Sequence, residues 1–227
     1  KDIDMLLFGF KVLGSKNRLN DTETLKKISS SQNVKEDLLK SIISTKNNIF
    51  GYIWRAMYSK RMLLTNDILF PNGIKISEDY MFLLNSIYHS NTILIDANEY
   101  YLYNINDQSM SIKYIPTLLN DMLFVNQWMY SKIVKNNVEL IDGYYCCMCN
   151  TYLRFVQNTI RNKKLPLNEK IKLIKRIKHE KNFSQYINKE WYKYKKFPLK
   201  TFLSLIVFKF NLDVLYILLF NFKEWKV

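Results

Sequence analysis

Glycine, proline, cysteine and histidine are all scarce in this chain, at five, four, three and two of 227 residues. So few glycines and prolines argue against a turn-rich all-β protein, whose many tight turns draw on those two residues. The two histidines, His89 and His179, give no Ser-His-Asp ordering and no Cys-His pair with nucleophile character. A Gly-rich phosphate loop is also missing. The cysteines, Cys146, Cys147 and Cys149, fall in one short run. That run excludes a disulfide framework and fits a reducing cytosol. Neither histidine stands at zinc-ligand spacing from it, so the run is expected to pack inside a helix and to hold no metal. No signal or transit peptide can be read at Lys1, and the chain is expected to be a piece of a longer protein.

What is present is a large apolar and aromatic content. Apolar residues make up 48%, with 16 Tyr, 14 Phe and 4 Trp, enough for a real buried core. The net charge of +14 is unevenly placed. Residues 161–227 carry 17 Lys and Arg against 5 Asp and Glu, a net of +12, and residues 1–160 carry 17 against 15. A basic C-terminal third implies a polyanionic partner, either nucleic acid or an anionic membrane.

Periodicity predicts a buried strand over 4–13, a polar loop over 15–33 and a helix over 34–45. An extended segment over 68–73 closes in a turn, and Ser77 is expected to cap a helix opening at Glu78 through its hydroxyl. Strands are predicted over 92–96 and 100–105, leading to an Asn106-Asp107-Gln108-Ser109 turn. Beyond Pro116 the pattern becomes helical, with Leu118 to Met129 in one helix, Tyr144 to Ile160 in a second after Asp142-Gly143, and an amphipathic helix over 168–179. The runs over 202–208 and 214–220 are too short to span a bilayer and combine aromatics with lysines. They read as an interfacial tail whose membrane-binding residues are Lys195, Lys196, Lys200, Phe202, Phe208 and Trp225.

Three blocks carry candidate chemistry: Trp54-Arg55-x-x-Tyr58, Glu78-Asp79-x-x-Phe82, and Tyr101-x-Tyr103 with Ser109 further on. In this order they resemble the second half of an inverting family 2 glycosyltransferase. The resemblance implies an α/β fold: a partial GT-A (Rossmann-like) catalytic domain over 1–115, a mostly helical region over 116–195, and an amphipathic membrane-proximal tail over 196–227. It also implies transfer of a sugar from a nucleotide-diphosphate sugar to a glycan or lipid-linked acceptor in surface polysaccharide synthesis. Asp79 would be the catalytic base, with Glu78 orienting substrate and Trp54, Arg55 and Tyr103 lining the acceptor side. Where relatives often carry Lys and Arg, this chain has Ala56 and Asn104, leaving Arg55 as the nearby cation.

A carboxylate at a helix N-terminus is expected to stay ionised, with its basicity lowered by the helix dipole. Asp2-Ile3-Asp4 looks like a D-x-D metal motif but precedes a strand where such a motif should follow one. The Mg²⁺ or Mn²⁺ expected in the complete enzyme would have its ligands upstream of Lys1, so this chain alone should transfer little sugar. The expected location is cytoplasmic and peripheral, on the inner face of the cell membrane, with no nucleic acid as partner. Two alternatives stand beside this reading. One is a basic, aromatic-rich nucleic-acid-binding module built on Trp191-Tyr192-Lys193-Tyr194-Lys195-Lys196. The other is a non-catalytic membrane-binding module.

Overall fold

The computed structural model describes residues 2–13, 22–43, 51–104, 113–189, 199–212 and 214–218. It is a mixed α/β structure, mostly helical, with a three-stranded sheet in the order β2-β1-β3. Strand β1 (Met5–Leu13) is central, β2 (Ala56–Tyr58) runs antiparallel to it, and β3 (Ile93–Asn104) runs parallel. The apolar run of β1 fits that central place, since Met5, Leu7, Phe8 and Phe10 are all buried.

Two consecutive register shifts, one on each side of Gly9, shape the sheet, the second passing over Tyr100 because Phe10 pairs with Tyr101. Phe8 pairs with Asp96 and Gly9 with Glu99, so β3 bulges at Ala97 and Asn98. Gly9 is required there, because a Cβ on it would lie 2.7 Å from the Ala97 carbonyl oxygen and 2.8 Å from that of Asn98. Asp96 stabilises the bulge, its carboxylate accepting from the Asn98 N–H at 2.9 Å and the Tyr100 hydroxyl at 2.8 Å. What reads in sequence as two strands is therefore one bulged strand.

Around the sheet stand α1 (Thr22–Ser29), α2 (Val34–Ile43), α3 (Lys60–Thr65) and α4 (Glu78–His89). Helix α1 lies inside the expected polar loop, where only Leu25 and Ile28 turn inward. A hydroxyl cap is found at α3, whose Met62 N–H donates to Ser59, but not at α4. Ser77 instead sits at φ 67° and makes no side-chain cap, because a left-handed backbone turns the hydroxyl away from the helix end.

The second half is helical: α5 (Leu118–Met129), α6 (Ile141–Arg161), α7 (Leu167–His179), α8 (Lys181–Lys189) and α9 (Leu199–Lys209). Asp142-Gly143, expected just before a helix, lies within the first turn of α6. Gly143 lets α6 approach α2 closely, since a Cβ there would come within 3.0 Å of Ile43. Cys146 and Cys149 are buried in α6, and the Cys147 thiol donates to the Ile43 carbonyl at 3.2 Å. Burial pushes that thiol up to about 12, so the run packs helices and is poorly nucleophilic at neutral pH.

The tail helix docks on the body. Leu205 and Phe208 of α9 are fully buried, and Phe208 packs against Tyr152 of α6 at 5.3 Å between ring centroids. Lys178 of α7, itself buried, donates to the Phe208 carbonyl and to Asn211 Oδ1. This ties the C-terminal turn of α9 to α7, adding a charged donor to a carbonyl that also accepts from the Asn211 N–H at 3.2 Å. Phe208 is thus a core residue rather than a membrane contact, a correction to the sequence expectation. Phe202 is partly buried against the same core. Lys195, Lys196 and Trp225, the Trp191 to Lys196 cluster and the turn from Asn106 to Ser109 lie outside the described residues, as does the Lys200 side chain. No helix among the described residues is long and apolar enough to cross a membrane.

A Gly9→Ala protein is expected to lose about 1–3 kcal/mol of stability, the usual cost of forcing an extra group into a packed interior. Urea denaturation measures it, and an unshifted midpoint would mean that β3 does not bulge against Gly9.

Candidate functional site

The site is built where the start of α4 meets the aromatic side of the sheet. The turn at Tyr52 and the 3₁₀ segment Ile53–Arg55 lead into β2, and β1 and β3 set Phe10 beside Tyr101 in register. Trp54 lies over these strands, stacked on Tyr101 at 4.4 Å, Tyr52 at 4.9 Å and Tyr103 at 5.1 Å, with Phe10 edge-on at 4.9 Å. Such stacks add stabilisation beyond the area they bury. The indole has its stacking partners within the chain, and together the five rings form one aromatic wall.

Arg55 departs from the sequence expectation. It is fully buried, its Nε donates to the Phe8 carbonyl at 2.9 Å, and its guanidinium lies 4.8 Å from the Phe10 ring centroid. A surface cation for an acceptor or diphosphate is therefore not what Arg55 supplies. It clasps the turn at 53–55 to β1, because a buried guanidinium needs acceptors and an aromatic face.

Asp79 sits in the first turn of α4, half-buried, with its Oδ1 accepting from the Tyr80 N–H at 2.7 Å. Burial raises its carboxyl above the ordinary aspartate value. The N–H groups of Tyr80 and of Asp79 itself, and the positive charge of Arg154, pull the other way without cancelling the rise. The helix end therefore does not win here, contrary to the sequence expectation of a lowered basicity. Glu78, more open, is also raised, mainly by burial and further by the negative charges of Asp79 and Asp121.

Tyrosines join the acidic turn to the aromatic wall. The Tyr52 phenol is raised by burial and then by the charges of Tyr103 and Asp79, with Arg55 opposing. Tyr58 is raised by burial and by Asp79. Asp79, Tyr52, Trp54 and Tyr103 thus share one neighbourhood, with Arg154 contributed by α6. Sequence reasoning missed Tyr52 and Arg154. Arg154 had a readable signal, as the one charged residue between Asp142 and Arg161 in a helix of otherwise apolar and neutral side chains. Burial lowers its guanidinium and Asp79 opposes that shift, so each charge offsets part of the other's burial cost. One turn further along α6, Asn158 clamps Ile115, accepting from its N–H and donating to its carbonyl, both at 2.8 Å.

The acidic residues near the N-terminus have other roles. Asp2 pairs with Arg61 at 2.7 Å, and Asp4 Oδ2 accepts from the N–H groups of Asn91 at 2.8 Å and Thr92 at 3.1 Å. Asp4 is therefore a brace between β1 and the turn that ends α4. The described residues include no group of three acidic, His or Cys side chains placed to hold a metal ion.

Two stability measurements follow from this geometry. Ser77→Ala is expected to be nearly neutral, because no cap is lost, whereas Ser77→Gly should gain on the order of 0.5–1 kcal/mol by relieving a left-handed backbone. A loss of about 1 kcal/mol in Ser77→Ala would restore the capping role. The folded Asp79 carboxyl holds its proton to higher pH than the unfolded one, so ionised Asp79 weighs against folding above its folded pKa. That penalty fades as pH falls into the ordinary carboxylate range. Asp79→Asn should accordingly raise Tm at pH 7, with the gain shrinking toward pH 4, and a lower Tm at pH 7 would contradict the burial argument. Compared with known proteins, the chain matches no family model and no curated protein.

Proposed function

We propose that this chain is the acceptor-binding and catalytic-base portion of an inverting glycosyltransferase of the GT-A type, moving a sugar from a nucleotide-diphosphate sugar to a glycan or lipid-linked acceptor. The observation that carries the reading is Asp79, a carboxyl raised by burial at the mouth of α4 and flanked by tyrosines and the aromatic wall. A general base works best when its pKa approaches the working pH, so a carboxyl raised from the usual aspartate value is better suited than an ordinary surface aspartate. Aromatic rings beside it suit a sugar, whose C–H faces pack on π-surfaces.

In this mechanism the acceptor hydroxyl gives its proton to Asp79 as its oxygen attacks the anomeric carbon. The new glycosidic bond forms on one face, and the bond to the nucleotide diphosphate breaks on the other, its electron pair leaving with the diphosphate. Arg154 favours the ionised form of Asp79, and Glu78 orients the acceptor at the more open edge. The enzyme would work at the inner face of the cell membrane.

The test uses the complete protein with a panel of radiolabelled nucleotide-diphosphate sugars, following label into the lipid-extractable and polysaccharide fractions. Asp79→Asn is expected to lower transfer by at least about 100-fold, the usual scale for removing a general base. The fold should persist, as judged by its Tm. A folded Asp79→Asn protein with undiminished transfer would remove the proposed role, and tight binding of single-stranded DNA with no transfer would favour a nucleic-acid module instead.

A further inference from the structure

The end of α9 and the helical segment 214–218 are apolar on two sides. Leu205, Phe208 and Ile217 face the core, and the Phe208 and Tyr216 rings meet at 4.7 Å. The opposite side is apolar as well and open, with Phe210 66%, Leu212 47%, Leu215 50% and Leu218 45% exposed. A helix apolar all round is normally buried, so a corner that leaves four such residues in water calls for a cover.

The corner is rigidly presented. Asn211 takes a left-handed backbone at φ 59°, and the Leu212 N–H bonds back to the Val207 carbonyl at 2.9 Å, the reversal that ends α9. Lys178 ties the same turn to α7 through Phe208 and Asn211. That tie also fixes what surrounds the corner. Exposed cations flank Lys178 in the chain: Lys175 one helical turn before it and Lys181 three residues after it, with Glu180 the one acidic residue in that stretch.

We infer that this corner is a docking surface for an anionic lipid bilayer, with Phe210, Leu212, Leu215 and Leu218 entering the headgroup boundary and the cations around Lys178 facing the lipid phosphates. An apolar wedge beside exposed positive charge is the composition that binds such a surface, each part insufficient alone. The assignment moves the contact from Phe202 and Phe208, which face the core, to the residues on the opposite side of the same turn. It stands apart from the sugar-transfer reading, since Asp79 takes no part in it.

The test is cosedimentation with vesicles of phosphatidylcholine containing one part in three phosphatidylglycerol, against vesicles of phosphatidylcholine alone. The parent protein should bind the anionic vesicles, and bind them less as salt is raised. A double variant, Phe210→Ser with Leu215→Ser, should lower the partition coefficient at least about tenfold, as expected for two apolar side chains withdrawn from lipid. Lys175→Glu, an exposed position one helical turn before Lys178 that leaves the wedge intact, should lower it as well, and its unchanged Tm would show that folding is not the cause. Asp79→Asn should bind like the parent, so loss of transfer and loss of lipid binding remain separable. Equal binding by parent and double variant would overturn the proposal. So would a parent protein that ignores vesicles and sediments as a dimer that the double variant breaks, which would make a second copy the cover.

Discussion

The parallel pairing of β1 with β3 is the constraint on which the candidate site depends. It places Phe10 beside Tyr101 and Val12 beside Tyr103, giving Trp54 a bed of rings to lie on. It also fixes where α4 must end, because Asp4, one residue ahead of β1, holds the two N–H groups that open the path into β3. A helix held at its C-terminal end by the sheet has its N-terminal turn placed by its own length. Asp79 and the aromatic wall therefore share one frame of reference. Gly9 is the point at which that frame is sensitive, since the two register shifts on either side of it together set the phase of every β3 side chain beyond it.

Within this frame the energetics of Asp79 are a contest between burial and local donors. The helix terminus and the N–H of Tyr80 favour the ionised carboxylate, and so does Arg154, yet burial is the larger effect. The balance leaves a carboxyl more basic than its surface counterparts. Ser77 lies two residues away in a left-handed conformation that a serine adopts only at some cost. Strain of this sort next to a half-buried acid is a common arrangement at sites where chemistry, rather than stability, sets the sequence.

Much of the helical architecture was legible in the sequence. Helices α2, α5 and α7 follow apolar residues at helical spacing, and β1 follows a continuous apolar run. Helix α1 was not legible, because its two inward residues leave a segment that reads as polar. The hydroxyl cap at Ser77 failed because residue type reports a preference for capping, while the backbone dihedral decides it. Arg55 read as a surface cation because charge in a sequence carries no sign of its depth. The reading of the tail faltered for a related reason. In a run where nearly every residue is apolar, nothing in the pattern distinguishes Phe208, turned inward, from Phe210, turned out.

Helix α6 spans 21 residues, or roughly 31 Å at 1.5 Å per residue. It carries Tyr152 against Phe208 and, two residues on, Arg154 toward Asp79. Positions two apart on a helix point to nearly opposite sides, so this one rod is gripped by the tail on one flank and by the acidic turn on the other. Its stiffness makes it a ruler. The tail at Phe208 and the acidic turn at Asp79 are therefore spaced by a single turn of one helix, and neither can shift relative to the other without α6 bending or one of those two contacts giving way.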